Sequence, residues 1–110
     1  MAIAALYLTT RNWDRAKEFF LALGFTLELE TDHRAGQFRS PEGPYLFVAE
    51  VPGDAPPEIH PVYELPEEGL LPENPTVEVV SPFQTTHWGA REALVRDPDG
   101  RLWRIQAPPR

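Results

Sequence analysis

The sequence predicts an α+β domain made of two β-α-β-β-β modules, the second with its helix mostly lost. Three observations carry this. Strand-like segments surround a single well-formed helical pattern near the N-terminus. The stretch Phe38-Arg39-Ser40-Pro41-Glu42-Gly43 returns as Val95-Arg96-Asp97-Pro98-Asp99-Gly100 at one constant offset, 97 − 40 = 57. Where the second module should place its helix, residues 66–75 carry three prolines, which a helix interior excludes.

Residues 2–9 are apolar and β-compatible, a buried first strand. Asn12 offers an N-cap, and Asp14 puts a carboxylate in the first turn, where the helix dipole favours it. Trp13, Ala16, Phe20 and Leu23 recur at three- and four-residue spacing, a core-facing stripe, and Gly24 ends the helix at its C′ position. The helix should cover 12–23. Residues 25–30 alternate, with Phe25, Leu27 and Leu29 on the apolar side. A turn at 31–35 leads to a strand at 36–40, and 41–43 turn into an apolar strand at 45–50.

Residues 52–57 (Pro52, Gly53, Pro56, Pro57) read as a linker between a first module of 1–51 and a second of 58–110. Strands follow at 59–65, 76–80, 90–96 and 102–106, with a long hairpin connection at 81–89 and a tight one at 97–100. The repeated turn has two readings. Proline presets a turn and glycine supplies positive φ, so two unrelated hairpins could share this chemistry. The same strand order around both copies favours internal duplication.

Composition narrows the function. A net charge of −7 argues against nucleic acid, which needs a basic face, and against an anionic membrane surface. No apolar run approaches a spanning helix and no leader pattern follows Met1, so a cytoplasmic protein is expected. The absence of cysteine excludes disulfides, thiol catalysis and thiolate metal sites. Thirteen prolines, nine arginines to one lysine (Lys17) and two asparagines give a thermophile-like composition.

The helix ending Phe19-Phe20-(x)3-Gly24-Phe25 and the stretch Trp88-Gly89-(x)7-Asp97-Pro98-Asp99-Gly100 carry a family resemblance over nearly the whole chain. It resembles the vicinal oxygen chelate superfamily of glyoxalases, bleomycin-resistance proteins and extradiol dioxygenases. The resemblance implies a single domain, 1–110, whose paired modules curl a mixed sheet into a ligand-holding cup. It also implies metal ligands on the first and last strand of each module in the metal-dependent members. Carried over one by one, those positions are Ala5, Phe47, His60 and Arg104, with Val62 an alternative to His60 under an ungapped repeat. One imidazole cannot hold a metal alone, since a mononuclear site needs at least three protein ligands. Neither a metal nor another cofactor is therefore expected. His60 and Glu64, four apart on a strand, lie about 13 Å apart and cannot share an ion. His33 and His87 fall in hairpin loops, where histidines are usually solvated.

If the four family positions face inward, alternation brings Tyr7, Thr9, Tyr45, Phe47, His60, Val62, Glu64, Leu102, Arg104 and Gln106 with them. Tyr7, Tyr45, Phe47, His60, Glu64 and Arg104 are the candidate ligand-binding residues, aromatic rings with a few polar groups. Arg104 either binds an anionic ligand or is neutralised by Glu64. Three functions stay open: a metal-free binding protein for an anionic or aromatic small molecule, a metal-dependent lyase or dioxygenase, and a structural or regulatory dimer with a filled cup. The opposite face of the second module carries Tyr63, Leu65, Trp103 and Ile105. Without a helix over them, either the loop holding Leu70 and Leu71 or a second subunit must cover them, and a homodimer is expected.

Overall fold

In the first half of the chain, β1 (Ala2–Thr10) leads into α1 (Trp13–Ala22), followed by β2 (Thr26–Glu30), β3 (Ala35–Arg39) and β4 (Tyr45–Glu50). The computed structural model describes residues 2–40, 42–86 and 89–109. It divides into two units, residues 5–59 and residues 60–109 with 2–4.

Helix α1 starts where the sequence places it. The Asn12 side chain accepts the Arg15 N–H at 3.1 Å, and the Glu50 carboxylate accepts the Trp13 N–H at 2.9 Å, so two orphan donors of the first turn are satisfied. Gly24, at φ +102°, follows the Leu23 C-cap. In the first unit the strands run in the order β2-β3-β4-β1, with β1 and β4 parallel and the other pairs antiparallel. Trp13, Phe38, Leu46 and Val48 form the core on one face, joined by Ala16, Phe20, Phe25 and Leu27. Trp13 approaches so closely that a Cβ at Gly36 would lie 2.7 Å from its ring and 2.7 Å from the Leu29 carbonyl oxygen.

Two expected core positions fail. Leu23 is 62% exposed, because α1 ends at Ala22 and the C-cap residue lies past the stripe that meets the sheet. Leu29 is exposed because the β2–β3 register shifts between Leu27 and Leu29, which breaks the alternation.

The second half contributes β5 (Ile59–Glu64), β6 (Glu78–Thr85), β7 (Arg91–Arg96) and β8 (Leu102–Ala107). Their order is β5-β8-β7-β6, with β5 and β8 parallel. Between β5 and β6 stands only a 3-10 turn, Glu68–Leu70, as the prolines require. The fold is α+β, with one helix among the described residues and the second module's helix lost.

The face expected to be bare is covered from within. Leu65, Ala93, Val95 and Ile105 are buried there, and Leu71, Val77 and Phe83 pack against them beside Tyr63 and Trp103. Leu70 is exposed, so Leu71 alone of the two expected leucines joins the cover. Arg91 holds this segment by a two-pronged pair with Glu68, at 2.7 and 3.0 Å.

Strand β6 is longer than expected. It runs through Pro82 to Thr85, so the connection assigned to 81–89 is mostly strand. Among the described residues of this unit β6 pairs only with β7, and register shifts around Ser81 accommodate a proline that cannot donate to a ladder. His87 and Trp88 lie outside the described residues. No helix among the described residues is long and apolar enough to cross a membrane.

The duplication is visible in the pairing itself. Arg39 pairs with Tyr45 and Ala35 with Ala49, and the residues 57 further on, Arg96 with Leu102 and Glu92 with Gln106, pair identically. Not every turn detail repeats. Gly100 adopts the positive φ expected of it (+86°), whereas Gly43 does not and lies instead close against Ser40.

Candidate functional site

Strand pairing decides which residue stands at the fifth-strand position. Ala5 pairs with Tyr45 on β4. On β8 the equivalent of Tyr45 is Leu102, and the parallel register Val62–Arg104 continued back two residues brings His60 to Leu102. His60 therefore holds the place of Ala5, and Val62 does not. The first strands of the two modules are offset two residues less than the hairpins, which is why an ungapped repeat misplaces this residue.

On the second unit, Arg104 and Gln106 of β8, Glu92 of β7 and His60 of β5 form one polar network. Arg104 donates from Nη1 to Glu92 Oε1 at 2.8 Å and from Nε to His60 Nδ1 at 3.3 Å. Gln106 donates from Nε2 to the other oxygen of Glu92 at 3.1 Å. His60 and Glu92 are buried; the Arg104 side chain is 16% exposed. A guanidinium in such surroundings requires a counter-charge, and Glu92 supplies it.

This corrects the expected partner. Glu64 is exposed, and no hydrogen bond or ion pair to it is found among the described residues. It sits opposite Gln106, one pleat beyond Arg104, while Glu92 reaches Arg104 from the neighbouring antiparallel strand. Glu92 was legible in principle. Counting outward from the 97–100 turn pairs it with Gln106, but Glu92 itself stands on β7, a strand that the family's ligand positions do not include.

On the first unit, Tyr7 of β1 pairs with Phe47 of β4, and Tyr45 lies two residues before Phe47 on the same face. All three rings are half-buried, on the sheet face opposite the Trp13 core. Arg39 of β3 was not among the expected residues, yet it completes this face. Its guanidinium carbon stands 5.1 Å from the Tyr45 ring centroid, and its Nη2 donates to the Tyr45 hydroxyl at 3.0 Å. Glu28 of β2 accepts from Arg39 Nε at 2.7 Å and raises the Arg39 pKa above its ordinary value.

The donor set does not suit a divalent metal. Ala5 and Phe47 offer no ligand atom, Arg104 is a cation, and the Nδ1 of His60 accepts a hydrogen bond from that cation. Among the described residues, no group of three or more His, Asp or Glu side chains is placed to hold a metal ion.

The architecture matches solved structures over almost its full length. A glyoxalase/bleomycin resistance protein/dioxygenase superfamily member from Vibrio splendidus 12B01 aligns with a TM-score of 0.71 at 15% identity, covering 94% of this chain and 97% of that one. This is the vicinal oxygen chelate fold. A Legionella pneumophila structure described as an NAD-dependent benzaldehyde dehydrogenase aligns with a TM-score of 0.70 at 13% identity, covering 94% of this chain and 96% of that one. No protein-family model and no curated protein matches the sequence. At such identities the vicinal oxygen chelate fold is what is shared, and activity is read from this chain's own residues.

Proposed function

We propose that this chain is a metal-free small-molecule-binding protein whose ligand is a planar aromatic compound. The observation that carries the reading is the half-buried aromatic face of Tyr7, Tyr45 and Phe47. It lies on the side of the first unit's sheet opposite the helix and its core. Half-buried aromatic rings gathered on one sheet face form the kind of surface that stacks against a flat ligand.

An aromatic ligand is favoured over an anionic one. An anionic ligand would need the charge of Arg104, and Glu92 already answers that charge. Arg39 is likewise paired with Glu28. The polar groups of both faces are thus tuned for hydrogen bonding rather than for net charge. Equilibrium dialysis against a set of neutral bicyclic aromatics tests the reading: binding in the micromolar range, weakened at least tenfold by Phe47→Ala, is the expected result. Absence of binding, or binding indifferent to Phe47 and Tyr45, rejects it.

One observation favours a second reading. Arg104, Glu92, Gln106 and His60 hydrogen-bond to one another, as side chains on a filled face of a purely structural protein would. Failure of the dialysis experiment would leave that reading in place. A homodimer is supported by the resemblance, and no longer by a bare face on the second unit. Light scattering separates the 12.5 kDa chain from twice that mass. Residence in the cytoplasm is proposed on the acidic, cysteine-free composition.

A further inference from the structure

The Tyr45 hydroxyl has a fixed polarity. Arginine can only donate, so the hydrogen bond from Arg39 Nη2 at 3.0 Å engages the phenol oxygen as an acceptor. The phenol proton cannot point at Arg39 and must be directed elsewhere. Glu28 holds the guanidinium from the far side, with Oε2 at 2.7 Å from Arg39 Nε, and its other oxygen lies 3.4 Å from Gln37 Nε2. The guanidinium also stands against the ring, so ring and hydroxyl are braced together. Among the described residues, Arg39 is the group bonded to the Tyr45 oxygen.

From this geometry we propose that Tyr45 is a hydrogen-bond donor for the ligand, oriented by Arg39 as a positioning residue. The ligand class is then a neutral aromatic bearing an oxygen acceptor, such as a ring carbonyl. The inference rests on the aromatic-binding reading above and deepens it. Because Arg39 is neutralised by Glu28, the face offers a directed O–H rather than a free positive charge. Tyr7 and Phe47 supply the stacking surface on the same sheet face.

Two planar bicycles of similar size separate the terms: coumarin, with a ring carbonyl, and naphthalene, without one. Equilibrium dialysis of the wild-type chain should show coumarin bound about fivefold more tightly, the range of one neutral hydrogen bond. Tyr45→Phe should bring the two to parity with naphthalene unchanged. Arg39→Met, which frees the phenol to turn, should reduce the preference about twofold, again with naphthalene unchanged. A merely structural role for either residue would weaken both compounds alike. Equal binding of the two by the wild type, or parallel losses in both variants, overturns the donor assignment and leaves the aromatic surface standing. Failure of both compounds to bind the wild type overturns the aromatic reading and this inference with it. Should Tyr45→Phe not fold, as judged by circular dichroism, the Arg39→Met ratio decides alone.

Discussion

Glu92 and Arg104 face each other from neighbouring antiparallel strands, with Nη1 and Oε1 2.8 Å apart and both side chains largely withdrawn from water. Their positions are not direct partners in the ladder: Arg104 pairs with Leu94 and Glu92 with Gln106, so the contact is diagonal. It converts the arginine from a candidate anion receptor into half of an internal pair.

Removing one member should therefore cost more than removing both. Glu92→Leu removes the carboxylate that answers the Arg104 charge and is expected to destabilise the chain by about 3 kcal/mol. Combined with Arg104→Met, the loss should shrink to within about 1 kcal/mol of wild type, as replacement of buried ion pairs by apolar residues often shows. Urea denaturation of the three variants measures it.

Gly36 should tolerate no side chain. A Cβ there meets Leu29 O and the Trp13 ring at 2.7 Å, so Gly36→Ala is expected to cost about 1–3 kcal/mol through overpacking. Gly53→Ala, with nothing within 4 Å, serves as the control and should leave the denaturation midpoint nearly unchanged.

These two sites show what the sequence discloses and what it withholds. The helix cap, the break at 66–75 and the duplicated hairpins are legible because single residues enforce them: Asn12 by its side-chain acceptor, the prolines by their missing N–H, the repeated turn by its spacing. Leu29 and Leu23 are misread because a register shift and a helix end, not polarity, decide their exposure. Glu92 is missed for a different reason. Its importance arises from a diagonal contact, and a period-two pattern gives the face of a residue but not which neighbour its side chain reaches. Arg39 escapes in the same way, since its roles on Tyr45 and Glu28 depend on two separate strands.

Acidification should weaken the first unit through Glu30 and Glu50. The Lys17 ammonium, then the Trp13 indole N–H, hold Glu30 below the ordinary value of 4.5. Arg34, then the Trp13 backbone N–H, do the same for Glu50. Folded-state pKa values below the unfolded ones mean that this stabilisation is fully present above about pH 4.5 and disappears as pH falls through the lowered values. Thermal melts between pH 7 and pH 3 should show a shallower decline for the Glu30→Gln/Glu50→Gln chain than for wild type.

Leu71 should act as the replacement for the missing helix. Leu71→Ala removes part of the cover over Leu65, Val95 and Ile105 and is expected to cost about 1–2 kcal/mol, less than a fully buried leucine, with increased binding of a hydrophobic dye. Leu70→Ser, at an exposed position, should change neither signal.

Ligand binding without metal is open to a direct thermal-shift measurement. Aromatic compounds are screened by thermal shift against protein stripped with EDTA, beside the same protein supplied with Zn²⁺, Mn²⁺ or Fe²⁺, and beside Phe47→Ala and His60→Ala. Stabilisation of the stripped protein that added metal leaves unchanged and that Phe47→Ala abolishes is the expected result. Stabilisation that appears only with added metal, and that His60→Ala removes, would contradict the account.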